Sequence, residues 1–119
     1  MLCRHRFVLC LTETCGTNKF GALSDRAELD AVDGKSPSAG WQFLPGADRL
    51  SLIARHPESG EIEIVAGRQI VTAEKLEVLA LGATDDWKDG MPARAVIEAV
   101  AEAGAIPVLP WGFGKWLGR

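Results

Sequence analysis

The stretch from Pro92 to Gly104 constrains the fold more than any other part of the chain. Proline suits the first turn of a helix, where its missing N–H has no intrahelical partner to lose. Val96, Ile97, Val100 and Ala103 recur at helical spacing and form one apolar face, with Arg94, Glu98 and Glu102 turned outward. Gly104 stands where a helix-ending glycine belongs. Strand-like runs flank this helix: Val78-Leu79-Ala80-Leu81, separated from it by a loop from Gly82 to Gly90, and Ile106-Pro107-Val108-Leu109. Strand, helix and strand in that order predict a right-handed parallel crossover. Pro107 cannot donate to a sheet ladder, which points to an edge position, a strand start or a bulge.

Upstream, Phe7 to Leu11 is a short continuous apolar run, the pattern of a strand buried on both faces. Phe20, Leu23, Ala27 and Ala31 suggest one side of a helix, weakened by Gly21. Residues 33–48 read as an irregular loop, with Gly34, Pro37, Gly40 and Pro45. Arg49 to Arg55 fits a short strand or helical turn, and Pro57-Glu58-Ser59-Gly60 a turn. Glu61 to Val65 alternates polar and apolar as a half-exposed strand does, and Gln69 to Thr72 is a further strand piece. Ala73-Glu74-Lys75 joins that piece to Val78–Leu81 as a hairpin turn. Asp85, Asp86 and Asp89 form an acidic loop cluster ahead of the long helix, where negative charge is favourable.

The chain has 119 residues, the size of one small domain, and is 47% hydrophobic and 24% charged, as ordinary globular proteins are. A net charge of -3 predicts no general attraction to nucleic acid. No apolar run approaches the roughly 18 residues of a membrane span, and the apolar stretch after Arg6 is too short for a signal core, so a cytoplasmic location is expected. Cys3, Cys10 and Cys15 match no common zinc spacing and read as reduced thiols. His5 and His56 read as surface or capping residues.

The segment after the last strand, Pro110-Trp111-Gly112-Phe113-Gly114-Lys115-Trp116, is the main candidate site. Alternate glycines let a backbone approach a ligand closely, and successive N–H groups there can form an anion-binding concavity. Trp111, Gly112, Gly114 and Lys115 are therefore candidate ligand-binding residues. The segment is not a P-loop, because Leu109 stands at the required glycine and Trp116 at the required Ser or Thr. The competing reading makes Trp111 and Trp116 core or interface anchors.

Several segments resemble the PHP (polymerase and histidinol phosphatase) family. Residues 65–74, Val-Ala-Gly-Arg-Gln-Ile-Val-Thr-Ala-Glu, followed by Glu77-Val78-Leu79-Ala80-Leu81-Gly82, are similar to its Pro-Gly-x-Glu-x-Thr strand and its His-x-Leu-x-Leu-Gly strand. Residues 95–109 look like the next helix and strand, and Leu11-Thr12-Glu13-Thr14 like its strand ending in Thr-(Asp/Glu)-His. The resemblance implies an α/β fold, a partial (β/α) barrel with mostly parallel strands and crossover helices. It also implies a divalent metal cofactor (Mn, Zn or Fe) and hydrolysis of phosphate esters at the strand carboxyl ends. The family's ligands fall on Thr14, Gln69, Glu77 and Trp111 in this chain. Of these only Glu77 offers a hard carboxylate to a metal.

The expectation is thus a non-catalytic PHP-like domain or internal fragment binding a small anionic or phosphorylated ligand, with Trp111, Gly112, Gly114, Lys115, Gln69 and Glu13 around it. One alternative is a metal-dependent phosphoesterase with an altered ligand set around Glu13, Gln69 and Glu77. Another is a structural or interaction module, in which self-association or a missing partner segment covers unpaired sheet edges.

Overall fold

The computed structural model describes residues 7–33 and 40–111. The elements are β1 (Phe7–Thr14), α1 (Lys19–Asp33), β2 (Gln42–Pro45), β3 (Ser51–His56), β4 (Gly60–Val71), β5 (Glu77–Leu81), α2 (Ala93–Glu102) and β6 (Ile106–Val108). The strands pair in the order β2-β3-β4-β5-β6, and β1 also pairs with β4. Each ladder from β2 to β6 is antiparallel. The sheet is open, so the expected parallel (β/α) barrel of PHP type is not the fold of this chain.

The chain divides into two compact units, and β4 contributes its first half to one and its second half to the other. The first unit holds residues 7–11 and 18–65. Asn18 opens α1 by accepting the Gly21 N–H at 3.0 Å through its side-chain oxygen. Gly21 has a purpose there, because a Cβ would lie 2.4 Å from the Asn18 amide nitrogen. Phe20, Ala27 and Asp30 are the buried positions of the helix. Within the segment expected to be an irregular loop, Gln42–Pro45 is a strand, paired with β3 from Gln42↔Arg55 to Pro45↔Leu52. The partners Leu52↔Ile64 and Ala54↔Ile62 then place the apolar side chains of β3 and β4 on one face. The run Phe7–Leu11 does form a strand, but Phe7, Val8 and Leu9 are 64%, 57% and 52% exposed, so burial on both faces is not observed. Continuous apolar runs suit strands sandwiched between helix layers, and the exposure of Phe7, Val8 and Leu9 is not that setting.

The second unit holds residues 12–17 and 66–111. It contains the expected strand, helix and strand, but β5 and β6 pair antiparallel, Leu79↔Val108, Ala80↔Pro107 and Leu81↔Ile106. The reason is an extra pass of the chain. β5 ends opposite Gly67. There the Gly82 and Ala83 N–H groups donate to the Ala66 carbonyl at 2.8 and 3.2 Å. The loop then runs the whole way back along the β4–β5 hairpin. At the far end the Gly90 N–H donates to Val71 O at 2.9 Å, and the Ala73 N–H to Met91 O at 2.8 Å. α2 makes the next pass and β6 the one after. A strand, one return and a strand would be parallel; loop and helix each making a pass reverses the last strand.

Of the apolar face read from the sequence, Val96, Ile97 and Val100 pack inward, while Ala103, at the helix end, is exposed. Val96 and Val100 are fully buried in a cluster with Ile70, Val78, Ala80, Ala83 and Ala105, and Trp87, Met91 and Ile97 pack against its rim. Each buried valine of α2 contributes about 1.5–3 kcal/mol. The helix ends as Gly104 predicts: the Gly104 N–H donates to Ala101 O and the Ala105 N–H to Val100 O, with Gly104 at φ +83°. Pro107 sits on the edge strand. It has no N–H to give, so Ala80↔Pro107 is a non-hydrogen-bonded pair and the missing donor faces outward. The hairpin turn at 73–75 is present as well, with Lys75 in the left-handed region at φ 65°.

Nothing lies within 4 Å of a Cβ added at Gly104, so backbone conformation alone sets the cost of filling it. Gly104→Ala is expected to lower unfolding stability by about 1 kcal/mol. Urea denaturation checks this, with the far-UV spectrum unchanged.

Candidate functional site

The most constrained polar cluster of the second unit surrounds Arg68, whose side chain is 5% exposed. A buried guanidinium is costly unless its charge is paired and most of its donors are met. Its Nη1 donates to Thr17 O at 2.8 Å, and its Nη2 to Thr14 O at 3.0 Å and to the Asp86 carboxylate. Arg68 Nε has no hydrogen-bond partner among the described residues. Asp86 also accepts the Gly16 N–H at 3.2 Å, and Lys88 Nζ lies 3.7 Å from its other oxygen. The Gly16 hydrogen bond, with the charges of Arg68 and Lys88 added, holds the Asp86 carboxyl below its ordinary range against a smaller opposing effect of desolvation.

Two further carboxylates fix the returning loop. Asp89 accepts the Val71 N–H at 2.9 Å. Glu74, from the hairpin turn, accepts the Ala93 N–H at 2.8 Å. This caps α2 from outside, since Pro92 supplies no side-chain cap. The Ala93 bond is also the main cause of a lowered Glu74 carboxyl. The acidic loop cluster therefore holds structure together. Sequence reasoning missed Arg68 and read Asp86 and Asp89 only as acidic loop residues ahead of the long helix; nothing in the loop's residue pattern signals a partner.

The expected ligand residues fall into three groups. Gly112, Gly114, Lys115 and Trp116 lie outside the described residues. Gln69 and Glu77 come onto one face of the β4–β5 ladder, because Gln69 pairs with Leu79 and Glu77 with Val71. Glu77 is 3% exposed and Gln69 half-buried. Glu13 is buried in β1, and Trp111 is 83% exposed beyond β6. The expectation that strand carboxyl ends share one rim fails for a physical reason: antiparallel neighbours end at opposite sides of the sheet. Glu77, for example, starts its strand and lies opposite the end of β4. Among the described residues no three His, Cys, Asp or Glu side chains come together as a metal site.

The surface beyond β6 has a different chemistry. Ile106, Leu109 and Trp111 are 63%, 46% and 83% exposed within six residues of chain. Val108, Leu79 and Leu81, on the same ladder face as Ile106, are half-buried. A cavity of about 120 Å³ lies in the first unit between Ala27, Glu28, Asp48, Arg49 and Leu52. It is too small for a typical organic ligand, which needs roughly 300 Å³ or more. Cys10 and Cys15 are free thiols. Among the described residues no helix is long and apolar enough to cross a membrane.

Comparison with protein families, curated proteins and solved structures yields no match to this chain.

Asp86→Asn removes the charge facing Arg68 and is expected to lower the urea midpoint clearly at neutral pH. Glu98→Gln, in the exposed Arg94–Glu98 pair, should leave it nearly unchanged. A folded carboxyl that is depressed contributes stability above the ordinary carboxylate range and loses it as pH falls. The gap between wild type and Asp86→Asn should therefore close on acidification.

Proposed function

We propose that the chain is a non-catalytic self-association module that buries the apolar rim at Ile106, Leu109 and Trp111 against a second copy of itself. The observation that carries this reading is the exposure of those large side chains in sequence along one sheet edge. Contiguous exposed apolar surface is the usual mark of an interaction site, and tryptophan is the residue most enriched among binding anchors.

The chemistry of the rim favours a second copy over a charged partner. Ile106-Pro107-Val108-Leu109-Pro110-Trp111 contains no ionisable side chain, so identical rims meet without like-charge repulsion although the chain carries a net charge of -3. Pro107 withholds an N–H from the outer edge, which disfavours adding a strand and leaves side-chain packing as the mode of contact. A two-fold arrangement uses the same patch on both copies.

Magnitudes place the contact among reversible ones. Two tryptophan rings bury about 150–250 Å² each, worth roughly 8–12 kcal/mol together. Association itself costs about 4–15 kcal/mol. The two are of the same order, so the contact is weak and reversible, with about micromolar affinity as its upper limit.

Sedimentation equilibrium across low-micromolar to millimolar concentration tests the proposal. Wild type is expected to pass from monomer to dimer. Trp111→Ser and Ile106→Lys are expected to remain monomeric with unchanged circular dichroism. A wild type that is monomeric throughout, or variants that dimerise as wild type does, would overturn it.

A further inference from the structure

His56 ends β3 and sits at the base of the turn into β4, within the first unit. Its Nδ1 accepts two backbone donors, the N–H groups of Glu58 and Ser59, both at 3.1 Å. On its other side the imidazole lies against Gly40, where an added Cβ would be 2.8 Å from Nε2. The Trp41 ring packs on it with centroids 5.1 Å apart and an interplanar angle of 51°. One nitrogen lone pair thus holds a turn, with Gly40 and Trp41 beside the ring.

Accepting at Nδ1 requires the neutral imidazole with its proton on Nε2. Protonation converts that acceptor into a donor aimed at two other donors. Histidine is the side chain whose charge ordinarily changes between about pH 5 and 8. From this geometry we infer that the β3–β4 turn is a proton-operated catch, closed while His56 is neutral and released when it is protonated. The Trp41 contact does not oppose release, because a cation over an indole is attracted to it. Among the described residues, the charged groups near the catch are Glu58 in the turn, and Glu61 and Arg55, which pair with each other at 2.6 Å on the adjoining strands.

Amide and imidazole NMR across a pH titration of the intact chain tests the inference. The Glu58 and Ser59 amide resonances are expected to move in step with the His56 ring signals. Their protection from hydrogen exchange, corrected for intrinsic rate, is expected to fall about two- to tenfold at the acid end, the range of one lost hydrogen bond. In His56→Phe, which keeps a ring beside Trp41, neither change should occur. Amides that stay fixed while the His56 ring titrates in wild type would overturn it, whatever the variant does.

Discussion

A charged guanidinium inside the second unit is the constraint on which that unit's fold depends. Arg68 is almost fully buried on the middle of β4, and its acceptors come from two places far apart in sequence, the carbonyls of Thr14 and Thr17 and the carboxylate of Asp86. Breaking one partner of a buried charge is far more costly than the pair is worth in isolation. Satisfying Arg68 therefore fixes where residues 14–17 and the loop after β5 must run. Asp86 is held in turn by the Gly16 N–H. Asp89, Gly90 and Met91 then bind that loop to the end of β4 and to the turn that follows it. The loop becomes a pass of the chain in its own right, and β6 is antiparallel to β5 as a result.

That reversal decides what surface is left over. In a parallel crossover fold the last strand is buried between neighbours, and the residues after it line a rim shared by every strand end. Here β6 is a short edge strand whose proline blunts its free side, and Ile106, Leu109 and Trp111 face solvent. The polar residues gathered nearby are engaged in holding loops and a helix terminus. Among the described residues, the exposed apolar rim at Ile106, Leu109 and Trp111 is the surface on which the proposed self-association rests.

Much of the local structure was legible in the residues. The period of Val96, Ile97 and Val100, the stop at Gly104, the edge signal of Pro107 and the turn at Ala73–Lys75 rest on local rules that tertiary context did not override. The capping role considered for a lone histidine also appears, at His56. Strand sense was not legible, because it depends on how often the chain crosses the sheet. Gly82 to Met91 has neither helical nor strand period, so its pass along the hairpin left no pattern. Ala66-Gly67-Arg68 looked like a break between strand pieces, yet β4 runs unbroken from Gly60 to Val71. The site residues fared similarly. Gln69 and Glu77 do share a face, but through antiparallel register rather than the rim of parallel strands that the PHP resemblance implied.

The sense of β6 is the point on which the account stands. In an antiparallel non-hydrogen-bonded pair the two α-protons face each other closely; in a parallel pair they do not. A nuclear Overhauser spectrum of the chain is predicted to give a strong Hα–Hα cross-peak between Ala80 and Pro107. Absence of that peak, with the Hα-to-amide pattern of a parallel ladder between β5 and β6, would contradict the fold and the exposed rim derived from it.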